Sequence, residues 1–159
     1  FRRTVISVQE LLDAAGKYFK KLMKNRPERI ELEIESMEAK VIGDVNQLRF
    51  LLENLIDEAL TVREDGVIRL QARKDNEYIR FLFTDTRREK SVEELNQLFY
   101  PNLARMTSGE KGELRGTEYL VCKQIIRDHD EFAGRRGCRI NAEPAEGGGF
   151  TVYFTIPRR

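Results

Sequence analysis

Apolar residues recur at helical spacing in three long stretches. From Asp44 to Leu60, Val45, Leu48, Leu51, Leu52, Leu55, Ile56 and Ala59 fall on one face behind Asp44, an N-cap candidate, and predict a core helix around which the chain is organised. Asn54 and Glu58 stand four residues apart, so they project side by side from a stripe at the edge of that face. Polar groups so placed either line a pocket or form a solvated pair at the helix margin. Ahead of this helix, Val8, Leu11, Leu12, Ala15, Phe19, Leu22 and Met23 make a second amphipathic face, with Ser7 as cap and Glu10 at the capping-box position. Leu120, Val121, Ile125 and Ile126 mark a third helix over 116–129, and Ser91 with Glu94 caps a short one ending at Leu98.

Between the helices the period changes to two. Ile30, Leu32 and Ile34 alternate with Glu31, Glu33 and Glu35, the pattern of a strand with one wet face, and a short strand over 40–42 follows closely enough to predict a hairpin. Strands are also expected at 4–7, 67–72 and 78–84, and at 138–143 and 150–156 around the Gly147-Gly148-Gly149 turn. The charged run from Asp85 to Lys90 reads as a loop. The stretch from Phe99 to Arg115 has Pro101, Gly109 and Gly112 but little periodicity, as in a lid. Hairpins dominate over βαβ units, so the expected class is α+β: a two-layer sandwich with a mixed sheet of about five or six strands and three main helices on one face.

Composition narrows the partners. The 159 residues suit one domain, 1–159. With 28 Lys and Arg against 27 Asp and Glu, the net charge of +1 creates no global field for nucleic acid or an anionic membrane. The basic residues Arg87, Arg88, Arg105, Lys111, Arg115, Arg135 and Arg136 are scattered among acids and lack interleaved aromatics for base stacking. Cys122 and Cys138 lie far apart with a lone His129, favouring reduced thiols in a cytoplasmic protein over a disulfide or zinc site. No run approaches the length of a membrane span, and the opening on Phe1 suggests a piece of a longer chain.

Five segments together carry a resemblance. They are Asp44 to Ala59; Phe83-Thr84-Asp85-Thr86; Leu98-Phe99; Gly116 with Lys123-Gln124-Ile125-Ile126 and His129; and Gly147 to Pro157. In order and spacing they resemble the ATP-binding catalytic domain of sensor histidine kinases, within the gyrase, HSP90 and MutL (GHKL) type of ATPase. The resemblance implies that fold, a Mg-ATP site, a two-component signalling context and a dimer formed through upstream helices.

Its motifs depart from the family pattern at the phosphate site. The family's Asn-Leu-x-x-Asn-Ala reads Asn54-Leu55-Ile56-Asp57-Glu58-Ala59, placing Glu58 at the magnesium-ligand position, and the basic residue expected two positions on is Thr61. The Asp-x-Gly-x-Gly motif reads Asp85-Thr86-Arg87-Arg88-Glu89 and keeps only the adenine-binding Asp. Gly-Leu-Gly-Leu reads Gly116-Thr117-Glu118-Tyr119. Arg87, Glu89 and Glu118 cannot supply glycine's freedom or room, and Glu118 would face phosphate oxygens. The expectation is a degenerate domain without productive ATP binding or phosphotransfer and without a bound cofactor. It would serve as a regulatory or docking module for a signalling protein partner, through Arg87, Arg88, Arg105, Lys111 and Arg115. Arg87 or Arg88 is expected to pair with Glu118 or Glu58 and close the pocket. The alternative is a working kinase domain with atypical motifs, binding Mg-ATP with Glu58 as a metal ligand. His129 reads as structural.

Overall fold

The computed structural model describes residues 1–101, 107–108, 114–115 and 117–159, with only the backbone of 107–108 and 114–115. The order is β1 (Thr4–Ser7), α1 (Val8–Met23), β2 (Ile30–Glu35), β3 (Lys40–Gly43), α2 (Val45–Ala59), β4 (Gly66–Asp75), β5 (Tyr78–Asp85), α3 (Val92–Gln97), β6 (Thr107–Ser108), β7 (Leu114–Arg115), α4 (Glu118–Phe132), β8 (Ile140–Pro144) and β9 (Phe150–Pro157).

Five strands form the main sheet in the order β2-β4-β5-β9-β8; β2 runs parallel to β4 and the other neighbours are antiparallel. The inward residues Ile68, Leu70, Ile79, Phe81, Phe83, Val152, Phe154 and Ile156 are buried against the helices, Phe81 stacking on Phe154 with ring centroids 4.9 Å apart. Each such side chain removed from water contributes about 1.5–3 kcal/mol, so this interface is the main source of stability.

The expected hairpin between the second and third strands does not form. β3 pairs antiparallel with β1, making a separate two-stranded sheet, while β2 joins the main sheet beside β4. Alternation fixed which face of each strand is apolar but not which strand it meets. Fully buried Val41 ties β3 to the core.

The three expected caps are present, with the reciprocal box at α3 rather than at α1. Ser7 accepts from Glu10 N–H, Asp44 accepts from Gln47 N–H, and Ser91 and Glu94 complete a reciprocal capping box. On α4 the buried positions are Tyr119, Cys122, Ile125, Ile126 and His129, while Leu120, expected in the core, is half-buried. Tyr18 of α1 donates to Asp57 Oδ1 of α2 at 2.6 Å. At the start of α2, Asp44 N–H donates to Nε2 of fully buried His129 at 3.0 Å, and His129 Nδ1–H donates to Ile125 O at 2.8 Å. The neutral imidazole fills both roles at once, so His129 is a joint between α2 and α4.

Candidate functional site

α2 ends beside the loop that leaves β5, and the side chains from both elements fill the space between them. Asp85 closes β5, is 1% exposed, and accepts the backbone N–H of Arg87 two residues on at 3.0 Å, an Asx turn that bends the loop inward. The bend drives the Arg87 side chain under the end of α2. Its Nε and Nη2 each reach an Asp85 oxygen at 3.0 Å; Nη1 donates to Val62 O and Glu64 O, both at 2.9 Å, and Nη2 to Ala59 O at 2.7 Å.

Every guanidinium proton is therefore used, and the side chain is 1% exposed. The charge also sits where the α2 dipole is negative and where the last turn supplies no basic residue of its own. Arg87 is thus a C-terminal cap delivered from another element. It pairs with Asp85 rather than with Glu58 or Glu118, and, being buried, it cannot belong to a docking surface as the sequence suggested.

Arg88 is held more loosely. Nη2 lies 3.4 Å from Glu58 Oε2, and Nε is 3.5 Å from Asp85 Oδ2 without hydrogen-bond geometry. Of the expected pairings, the one present is Arg88 with Glu58. Burial raises the Glu58 carboxyl above its usual range; Arg88 and Lys90 oppose the shift, and the nearby Glu118 charge adds to it. Glu118 opens α4 with its charge on the favourable side of the helix dipole. No ion pair joins it to Arg87 or Arg88.

The other predicted positions divide. Asn54 is 8% exposed and turns its amide back to Phe50 O at 2.7 Å. Glu89 Oε1 accepts Gly149 N–H at 3.3 Å, joining the loop to the β8–β9 turn. Gly149 has φ +86°, and a Cβ there would overlap Asp85 O, so only glycine lets that turn close on the loop. Gly116, Arg105 and Lys111 lie outside the described residues, and Arg115 is described only as backbone in β7.

Sequence reasoning did not single out Phe150 or Lys90. Phe150 is buried, with the Arg88 guanidinium 5.7 Å and Lys90 Nζ 5.3 Å from its ring centroid. Tyr119 is buried edge-on to Phe99 at 5.8 Å, and burial followed by the Glu58 charge pushes its phenol well above the ordinary range. The available signals were the aromatic beside the glycine turn and the aromatic in the first turn of α4. Among the described residues no group of three His, Cys, Asp or Glu could hold a metal, and no helix is long and apolar enough to cross a membrane.

Similar structures share this framework. The nucleotide-free catalytic domain of histidine kinase ThkA superposes with a TM-score of 0.76 at 21% identity, over 99% of this chain and 97% of that one. The mycobacterial sensor histidine kinase MprB gives 0.71 at 17% identity over 99% of each chain. ThkA solved in complex with response regulator protein TrrA gives 0.72 at 19%, over 99% of this chain and 42% of that one. No curated protein sequence matches. Residues 43–159 match the family model of histidine kinase-, DNA gyrase B- and HSP90-like ATPases, from α2 through β9, and the chain belongs to that family.

Proposed function

We propose that this chain is a histidine-kinase-type domain of a two-component signalling protein whose nucleotide site is closed by its own side chains, and that it works as a regulatory or docking module. The observation that carries this reading is the buried Asp85–Arg87 pair. In the family that carboxylate receives the adenine amino group; here both of its oxygens are engaged by a guanidinium whose remaining protons cap α2. Freeing it would break a buried charge pair and strand the partner, at about 3–5 kcal/mol.

The residues present do not fit a magnesium nucleotide. Glu58, at the metal-ligand position, is paired with Arg88, and Asn54 is turned onto its own helix. Retention of Asn54 and Asp85 favours the second reading, a catalytic domain that opens to bind Mg-ATP. Docking would use the loosely held Arg88 with neighbouring Lys90, and the reading assigns the partner to protein rather than nucleic acid or membrane. The free, buried thiols Cys122 and Cys138 accord with a cytoplasmic setting.

Thermal unfolding with millimolar Mg-ATP, Mg-ADP or magnesium alone separates the two readings, because a ligand that binds only the folded state raises Tm. No nucleotide-dependent rise is expected. A rise of several degrees with Mg-ATP, absent with magnesium alone, overturns self-closure in favour of the catalytic reading.

A further inference from the structure

At the other end of β5, about 17 Å from Asp85 at strand rise, the outer face of the sheet carries a row of arginines. Arg73 on β4 stands opposite Arg80 on β5, and Arg80 opposite Thr155 on β9. Arg139, just ahead of β8, continues the row: Thr155 N–H donates to Arg139 O, and Arg139 N–H to Thr155 Oγ1, each at 3.0 Å. Opposed residues of antiparallel strands project to the same face with Cβ atoms about 5 Å apart, and like charges so placed destabilise a sheet. Asp75 neutralises Arg80 at 3.0 Å; among the described residues neither Arg73 nor Arg139 has an acidic partner.

Beside the row lies a cavity of about 510 Å³ lined by Tyr78, Arg80, Arg136, Arg139, Tyr153 and Thr155. The two acids at its rim are already committed, Asp75 to Arg80 and Glu77 to Arg135 at 3.2 Å. Arg136 is held by Asp130 at 3.2 Å, and Arg80 lies 4.7 Å over the Tyr153 ring. The wall formed by residues 134–138 is braced on three sides. Tyr78 O–H donates to Arg136 O, Arg135 Nη1 donates to Glu77 O at 3.0 Å, and Asp130 Oδ1 accepts Gly137 N–H at 2.6 Å and Cys138 N–H at 3.0 Å. Gly137, at φ +115°, has no Cβ to collide with Tyr78 Oη, which lets wall and strand meet.

We infer that this cleft binds a small multivalent oxyanion, a compound bearing phosphate or carboxylate groups. Arg139 supplies the unneutralised charge of the cleft wall, and Arg80, whose Nε and Nη2 are engaged by Asp75, adds its Nη1 edge. The volume is that of a small-molecule site. The inference does not rest on the closed state of the Asp85 site.

Calorimetric and thermal-shift titrations of the protein with pyrophosphate and with citrate, at constant ionic strength set by chloride, test it. Saturable one-to-one binding is expected, weakened about tenfold by Arg139→Gln, which removes a charged hydrogen bond, little changed in Arg73→Gln, whose residue is outside the cleft lining, and unchanged in the remote charge control Arg63→Gln. Both arginines are exposed, so the variants are expected to fold. Preference for pyrophosphate assigns a phosphate ligand, and preference for citrate a carboxylate one. Absence of saturable heat with either anion overturns the site, as does equal weakening in all three variants or a response that chloride reproduces.

Discussion

The two ends of α2 are fastened by opposite means. At its start a neutral imidazole from α4 accepts the Asp44 N–H inside a dry core. At its finish a charged guanidinium from the β5–α3 loop collects three carbonyls and a carboxylate. Both joints leave little unsatisfied, yet they fail differently. Removing the imidazole leaves uncharged groups without partners, whereas removing the guanidinium strands a buried anion.

The largest effect is therefore expected from Arg87→Ala, which should cost about 3–5 kcal/mol in denaturant unfolding because Asp85 loses its counter-charge. A loss below about 1 kcal/mol would mean that water or Arg88 replaces it and that the two joints are equivalent.

Next comes His129→Gln, expected to cost about 1–3 kcal/mol near pH 7.5 through its unpaired neighbours. A pH series sharpens the contrast. Burial lowers the His129 pKa from its usual 6.5, against the pull of Ile125 O, Asp44 and Asp128, so the unfolded chain takes up the proton first. The His129 contribution is complete above about pH 6.5 and is lost as pH falls through the depressed folded value. In the variant that part of the slope should vanish.

The smallest effect is expected from Glu58→Gln, within about 1 kcal/mol at neutral pH, since the Arg88 pair is long and reached by solvent. Its sign runs the other way. The folded Glu58 pKa is raised, so wild type should lose stability relative to the variant as pH climbs from near 4.5 through the folded value. A relative gain over that range would show that Arg88 outweighs the burial of Glu58.

Much of the scaffold was legible because its signals are local. Asp44, Ser7 and the Ser91–Glu94 pair announce helix starts within four residues, and a spacing of three and four marks the buried face of α2. The pairing of β3 with β1 was not legible, since the four-residue gap after β2 satisfies a hairpin as well as it satisfies a crossing to another sheet. In the site, the approach of Arg88 to Glu58 could be anticipated from family positions. Arg87 turning inward could not be read from charge alone, because a charged loop ordinarily faces water. Its cue was Asp85 two residues earlier, the spacing of an Asx turn.

β5 and β9 are hydrogen-bonded neighbours at the centre of the sheet, although α3, α4 and β8 all intervene between them in the chain. Closing so long a loop costs entropy that grows only with the logarithm of its length, about 0.6 kcal/mol for each doubling. Segments between Asp85 and Phe150 can therefore lengthen or shorten at small thermodynamic expense while the sheet keeps its register. The same separation acts on folding speed: the central ladder cannot zip until distant parts of the chain have met, so β4–β5 is expected to form early and β5–β9 to limit the rate.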